Sequence, residues 1–306
     1  MPDLRIGHVE SDDDVGAMSI VLHLANPDLP SSAGSVEGIR HNLDSNPDLT
    51  YVVARLDREP AGCGYVELVN ASWAGAQADV VPQLRCRGIG TGLLAEISAV
   101  AAANGRTELQ GEVRESDVES RAYFDRRGYV QVGGEQAVAL DLRQHDPLAV
   151  EPPPGVAIVS REDRSDLAEA MYEVAREAEQ DIPDAIPDRS FEIWRSRELD
   201  RPSRNPALTF IALAGDEVIA YAGLDEFGSD AFHGLTAVKR AWRGQGIATA
   251  LKRSQIAAAK ERGFKRLVTE SEERNTPMRR LNEKLGYRPE PSLSTVVLRG
   301  PLLPSP

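Results

Sequence analysis

Cysteine is scarce, with only Cys63 and Cys86 in 306 residues. Two thiols without a histidine cluster nearby do not supply the four ligands of a structural zinc site, and they read as free thiols of a reducing compartment. No apolar run approaches the roughly 18 residues that a membrane span needs. Met1 to Glu10 contains no basic segment followed by an apolar stretch, so no secretion signal is expected and the cytoplasm is the expected compartment. Positive charge is in deficit, because 35 Lys and Arg against 48 Asp and Glu leave a net charge of −13. Such a surface repels phosphate backbones, which argues against a nucleic-acid partner, and it tolerates a cationic amine. Two phosphate-binding motifs are also missing. There is no Gly-x-x-x-x-Gly-Lys-Ser/Thr string, and Leu93 and Thr249 stand where a dinucleotide fingerprint would carry its third glycine.

What remains is a globular composition, 41% hydrophobic and 27% charged, long enough for two domains. Glu151-Pro152-Pro153-Pro154-Gly155 reads as an extended linker, since three prolines neither continue a helix nor sit inside a sheet. The expected domains are therefore 1–150 and 151–306. The two halves repeat one another. Arg243, Gly246 and Ala248 stand 158 positions after Arg85, Gly88 and Gly90, and Val238 and Gly286-Tyr287 keep the same spacing from Val80 and Gly128-Tyr129.

Each repeat predicts a helical region, a β-hairpin, a strand, a long helix, a strand, a second helix and a last strand. The hairpins fall at Tyr51–Leu56 with Gly62–Val69 and at Thr209–Leu213 with Val218–Phe227. Asp57-Arg58 and Gly215-Asp216 supply their turns. In the long helices Ile89, Leu93, Ile97 and Val100, and Ile247, Leu251, Ser254 and Ala258, share a face, and Gly105 and Gly263 stand at the C-caps. Gln136–Leu142 predicts the last strand of the first repeat. Asp163–Glu179 predicts the first helix of the second, and Phe191–Trp194 predicts core. The acidic run Ser11–Asp14 predicts a helix start.

The passage most informative about chemistry joins a strand to the long helix. Gly88, Gly90 and Gly92, and Gly244, Gly246 and Ala248, cluster where those helices begin. Small residues admit a ligand close to the backbone, and a helix start presents unpaired N–H groups at its positive end. Together they form a diphosphate cradle built from main chain, with Arg85, Arg87 and Arg243 adding charge beside it.

Arg85-x-x-Gly88-x-Gly90 and Arg243-x-x-Gly246-x-Ala248 resemble the signature of the GCN5-related N-acetyltransferases. Val80-x-Pro82 ahead of the motif and a helix ending in Gly-Tyr about forty residues later strengthen the resemblance, which covers nearly the whole chain. Its two-copy layout is similar to that of tandem members of the family, mycothiol synthase among them. The resemblance implies an α/β (α+β) fold of two such domains, each a mixed, mostly antiparallel sheet flanked by helices, with coenzyme A in a cleft between splayed strands. It implies acetyl-CoA as acyl donor, no metal, and a small-molecule amine as acceptor. The diphosphate would rest on Cys86, Arg87, Gly88, Ile89, Gly90 and Thr91, and on Gly244, Gln245, Gly246, Ile247, Ala248 and Thr249. The pantetheine arm would pair with Val80 or Val238. Asn275 matches an asparagine that touches this arm, and a helix N-cap explains it equally well. Asp117 stands at that position in the first repeat.

The chain departs from the family at one position. Where a tyrosine often protonates the leaving thiolate, it carries Phe124 and Asn282, of which Phe124 cannot donate a proton and Asn282 is no acid. Asn282 is retained among the cofactor-binding candidates. Candidate bases for the amine are His233, Glu226 and Glu270 in the second repeat, with Glu67 and Asp79 in comparable places in the first. For His233 a satisfied structural histidine is the favoured alternative. The closer match around Asn275 makes the C-terminal repeat the expected catalyst. A coenzyme A-binding regulatory protein without catalysis is the alternative. The acceptor would be selected by the loops Asn26–Ser45 and Asp181–Pro206, whose composition does not specify it. Nothing in the sequence speaks to oligomeric state.

Overall fold

In the computed structural model, which describes residues 3–26, 34–146, 149–181 and 190–304, contacts divide the chain into two units. Unit 1 comprises Met1–Glu135 with Ser292–Pro306, and unit 2 comprises Gln136–Pro291.

The elements of unit 1 begin with β1 (Leu4–His8), α1 (Asp12–Ala25), α2 (Val36–Ser45), β2 (Leu49–Leu56), β3 (Glu59–Glu67) and β4 (Trp73–Val80). They continue with α3 (Ile89–Ala103), β5 (Glu108–Arg114), α4 (Val118–Asp125) and the first half of β6 (Val130–Asp141). Ser11 starts α1 through a capping box with Asp14, as the acidic run predicts. Asp57 and Arg58, both left-handed at φ 51° and 74°, make the two-residue turn between β2 and β3. The strands lie in the order β1-β2-β3-β4-β5-β13-β6, where β13 is Thr295–Pro301. Neighbours in this order pair antiparallel except β4 with β5, which is parallel. Ile89, Leu93 and Ile97 of α3 pack on one face of the sheet. Val15, Met18, Val21 and Ile39 of α1 and α2 pack on the other.

Unit 2 takes the second half of β6 and continues through β7 (Val156–Ser160), α5 (Ala168–Glu179), α6 (Phe191–Glu198), β8 (Phe210–Ala214) and β9 (Glu217–Phe227). Then come β10 (Asp230–Val238), α7 (Ile247–Glu261), β11 (Arg266–Glu272), α8 (Thr276–Lys284) and the short β12 (Arg288–Pro289), which pairs with β6. The order is β6-β11-β10-β9-β8-β7, with β10 and β11 parallel. Met171, Val174 and Trp194 from α5 and α6 bury against β8 to β10, so the aromatic stretch is core as expected. Ile247 and Leu251 of α7 bury against β8 and β9.

Two elements differ from expectation. The helix predicted from Asp163 begins at Ala168, because Ser160 and Asp163 first close a turn through reciprocal hydrogen bonds of 2.6 and 3.1 Å. The strand predicted from Gln136 begins at Val130, because its earlier residues pair with β13 from Val130↔Arg299 to Glu135↔Thr295. The proline linker and the contact division also place the C-terminal residues differently. Although β13 follows the second repeat in sequence, all seven of its residues pair with β5 in unit 1, from Thr295↔Arg114 to Pro301↔Glu108.

Deleting Ser292–Pro306 should therefore damage unit 1, not unit 2. Hydrogen exchange on the shortened chain should show the amides of Glu108–Arg114 losing most of their protection; unchanged protection there would contradict this pairing.

Candidate active site

Both units part a parallel strand pair in the same way. β4 and β5 pair only at Trp73↔Glu108, Ala74↔Leu109 and Gly75↔Gln110. β10 and β11 pair only at Asp230↔Arg266, Ala231↔Leu267 and Phe232↔Val268. Beyond those residues the strands diverge and leave a V. The helix that follows the first strand of each V begins at a glycine in the left-handed region, Gly88 at φ 83° and Gly246 at φ 88°. A side chain is strained there, so glycine is the residue that fits. Neither helix has a side-chain cap, whereas Ser11, Ser35, Asp117, Ser190 and Asn275 each cap a helix of their own. The first-turn N–H groups of α3 and α7 are thus available to an anion.

In unit 1 the V opens into a cleft of about 310 Å³. Val80, Arg85, Cys86, Gly88, Ile89, Gly90 and Thr91 all line it; Arg87, from the same predicted set, does not. Ala76, Ala78, Leu94, Leu109, Phe124 and Tyr129 make much of the rest of the wall apolar. Thr91 Oγ1 lies 3.0 Å from the hydroxyl of Tyr123, which also borders the cleft. Asp117 caps α4 through Ser120 N at 3.0 Å and borders the cleft as well. Asp79, another wall residue, accepts a hydrogen bond from Asn26 Nδ2 at 3.0 Å. Burial raises its carboxyl above the usual range, although Asn26 and Gln77 oppose the shift. Glu67 accepts from Asn46 Nδ2 at 3.1 Å.

The unit 2 V has a different interior. His233 is half-buried and both of its ring nitrogens are engaged, by Gln255 Oε1 at 3.1 Å and by the Tyr287 hydroxyl at 2.5 Å. Gln255 Nε2 donates to Leu208 O, which turns Oε1 toward His233. That orientation fixes the proton on Nδ1 and leaves Nε2 to accept from Tyr287. Desolvation, then the nearby Lys252, hold the imidazole well below its usual pKa, so the ring is neutral. Lys252 is 1% exposed, and desolvation lowers its pKa to about 7. The favoured alternative for His233, a satisfied histidine, describes this geometry. Glu226 accepts from Asn205 Nδ2 at 2.5 Å, and Glu270 stands exposed on β11. Asn275 accepts from Met278 N at 3.2 Å as the cap of α8, and Asn282 is buried.

The glycine-arginine turn of unit 2 is engaged by an acidic side chain. Asp181 pairs with Arg240 and Arg243 at 2.7 Å each, and these hydrogen bonds hold its carboxyl down to about 2. Arg243 Nε donates to Val238 O at 2.9 Å, so that carbonyl is occupied. Gln245 reaches Ala241 O at 3.2 Å, and Ala248 and Thr249 follow Ile247 in the first turn of α7. The loops expected to select the acceptor lie partly outside the described residues, at 27–33 and 182–189.

β10 also carries an irregularity that β4 lacks. Between His233 and Thr236 it has two residues opposite the single Gly223 of β9. β4 pairs with β3 without a break from Gly75 to Val80. Periodicity missed the bulge, and it also missed Lys252 and Gln255. Those two polar residues fall beside Leu251 and Ser254 on the buried side of α7, where their position signals something other than packing.

The sequence model of the acetyltransferase (GNAT) family matches residues 19–129 and 168–287. The chain belongs to that family. Similar folds occur in a tandem GNAT protein from the clavulanic acid biosynthesis pathway, solved without acetyl-CoA, with a TM-score of 0.79 and 24% identity over 99% of this chain and 100% of that one. A GCN5-related N-acetyltransferase from Sphaerobacter thermophilus matches with a TM-score of 0.73 and 21% identity over 99% and 97%. N-myristoyltransferase from Saccharomyces cerevisiae, with bound myristoyl-CoA, matches with 0.66 and 10% over 97% and 78%. No curated protein sequence matches the chain. The family acts as acetyl-CoA-dependent acetyltransferases, and the tandem layout of this GNAT protein is shared with a solved relative. Among the described residues no helix is long and apolar enough to cross a membrane, and no three His, Cys, Asp or Glu side chains are grouped to hold a metal ion.

Two predictions follow from these local environments. Cys86 is exposed and left-handed at φ 61°, whereas the equivalent residue of unit 2 is Gly244 at φ 75°. Cys86→Gly should stabilise unit 1 by about 1 kcal/mol in urea unfolding, and a loss of stability would contradict the strain. Lys252 is protonated in the unfolded chain below the ordinary lysine value of 10.5 but in the folded chain only below about 7. The unfolded state therefore binds the extra proton between those values, and stability rises with pH across that window. Unfolding of unit 2 should become harder from pH 7 to about pH 9.5, and Lys252→Met should flatten that rise. Equal slopes in the two proteins would show that Lys252 is not held neutral.

Proposed function

We propose that this GNAT protein transfers an acyl group from a coenzyme A thioester, acetyl-CoA being the donor its family implies, to the primary amine of a small molecule. Transfer is direct, within a ternary complex, and unit 2 is the catalyst. The bulge of β10 at the apex of its V carries this reading. A bulge leaves its extra residue out of the ladder, so an N–H of Gly234–Leu235 can meet the thioester carbonyl as charge develops on it. The diphosphate rests on the first turn of α7 once it displaces Asp181 from Arg240 and Arg243. The amine attacks as a neutral species and gives its proton to ordered water or to a carboxylate such as that of Glu226 or Glu270. His233 serves as base only after the Tyr287 hydroxyl turns away from Nε2. Because Asn282 is no acid, the departing thiolate takes its proton from solvent.

A second reading applies to unit 1. Its regular β3–β4 ladder, apolar walls and Phe124 support binding of coenzyme A without turnover. That is the regulatory alternative, confined to one unit.

Calorimetry with acetyl-CoA and thiol release with an amine panel test both readings. Ala248→Trp should cut thiol release by about a hundredfold, while Gly90→Trp, which fills the unit 1 cleft, should leave it within a few-fold. The reverse pattern would transfer catalysis to unit 1.

A further inference from the structure

We propose that the apex of the unit 2 cleft receives an acyl chain that ends in a carboxylate, with Lys252 and Asn282 as the residues that bind it. The proposal rests on the reading that unit 2 holds the thioester.

Lys252 projects from the second turn of α7, is 1% exposed, and sits 5.7 Å over the ring of Tyr287. The Tyr287 hydroxyl reaches His233, the first residue of β10 beyond the last paired position, Phe232↔Val268. Lys252 is thus at the apex of the V, at the acyl end of a ligand whose diphosphate lies at the start of α7. Among the described residues no carboxylate lies within ion-pairing distance of it, and desolvation is what lowers its pKa. Lys252 Nζ makes no hydrogen bond among the described residues, while its neighbours bond to one another, Tyr287 to His233, His233 to Gln255 and Gln255 to Leu208 O. Asn282 is 1% exposed, and both Oδ1 and Nδ2 lack a hydrogen-bond partner. A buried amine without a hydrogen-bond partner and an unpaired amide are costly to hold without a ligand that answers them.

The fold does not require this set. At the positions 158 residues earlier, unit 1 has Leu94 for Lys252, Ile97 for Gln255 and Phe124 for Asn282, while Ala76 takes the ladder position of His233. Leu94, Phe124 and Ala76 line the open cleft there. The same place in the fold therefore packs with apolar side chains alone, and the polar set of unit 2 points to a polar ligand. A carboxylate at the end of a short acyl chain accepts from Lys252 Nζ and from Asn282 Nδ2, whereas a terminal methyl group answers neither.

Succinyl-CoA and butyryl-CoA share a four-carbon acyl chain and differ at its far end. Both are titrated calorimetrically into the full chain carrying Gly90→Trp, which leaves the unit 2 cleft as the binding site. Succinyl-CoA should bind about tenfold more tightly or better. Lys252→Met, with Lys252→Gln as a second variant should the first not fold, should bring the ratio to one or below while butyryl-CoA keeps its affinity. Equal affinities in the Lys252 protein, or an unchanged ratio in the variant, overturn this proposal alone. Binding of neither thioester overturns the assignment of the donor to unit 2, and the carboxylate site with it.

Discussion

Both units of this GNAT protein are organised around a parallel strand pair that stops pairing after three residues. The gap is the channel proposed for a thioester, and the helix that follows the first strand of the pair begins at the mouth of that gap. The left-handed glycine there, Gly88 or Gly246, aims uncapped amides at the channel entrance. Electrostatics at such an entrance needs no lysine or arginine to be effective, since aligned peptide dipoles already favour an anion. The arginines of the turn are secondary, and in unit 2 they pair with Asp181.

The two units share this frame and differ in what fills it. Unit 1 lines its gap with alanine, leucine, phenylalanine and tyrosine and keeps a regular β3–β4 ladder. Unit 2 bends β10 by one residue and packs a connected polar group behind the bend. On the opposite side of that bend the guanidinium of Arg204 lies so close to Gly223 and Gly234 that a Cβ at either would meet it at 1.4 or 2.5 Å. Asp225 pairs with Arg204 at 3.2 Å. The bulge is thus backed by a buried ion pair, and removing one partner of such a pair is destabilising.

Much of the frame was legible in the sequence. The glycine-arginine turns, the spacing of 158, the hairpin turn at Asp57-Arg58 and the buried aromatic stretch at Trp194 follow from local rules of turn chemistry and periodicity. What was not legible depends on register between strands distant in the chain. Nothing local says that His233 and Thr236 face Leu224 and Ala222 with one residue to spare. Nor does α7 announce that Lys252 and Gln255 turn inward, because helix periodicity ranks polar residues as outward unless tertiary partners are known. Asn275 shows the opposite case, in which the capping explanation available from sequence accounts for the observed hydrogen bond. The extent of β6 was misjudged for the same reason as the bulge, since its first half is held by β13.

The place of β13 bears on how the molecule is made. A ribosome releases residues from the N-terminus onward, and domains ordinarily fold in that order. Here β5 lacks its antiparallel partner until Thr295–Pro301 has been translated. Unit 1 therefore emerges before unit 2 but is completed after it, and until β13 arrives the unpaired edge of β5 is a liability for the nascent polypeptide.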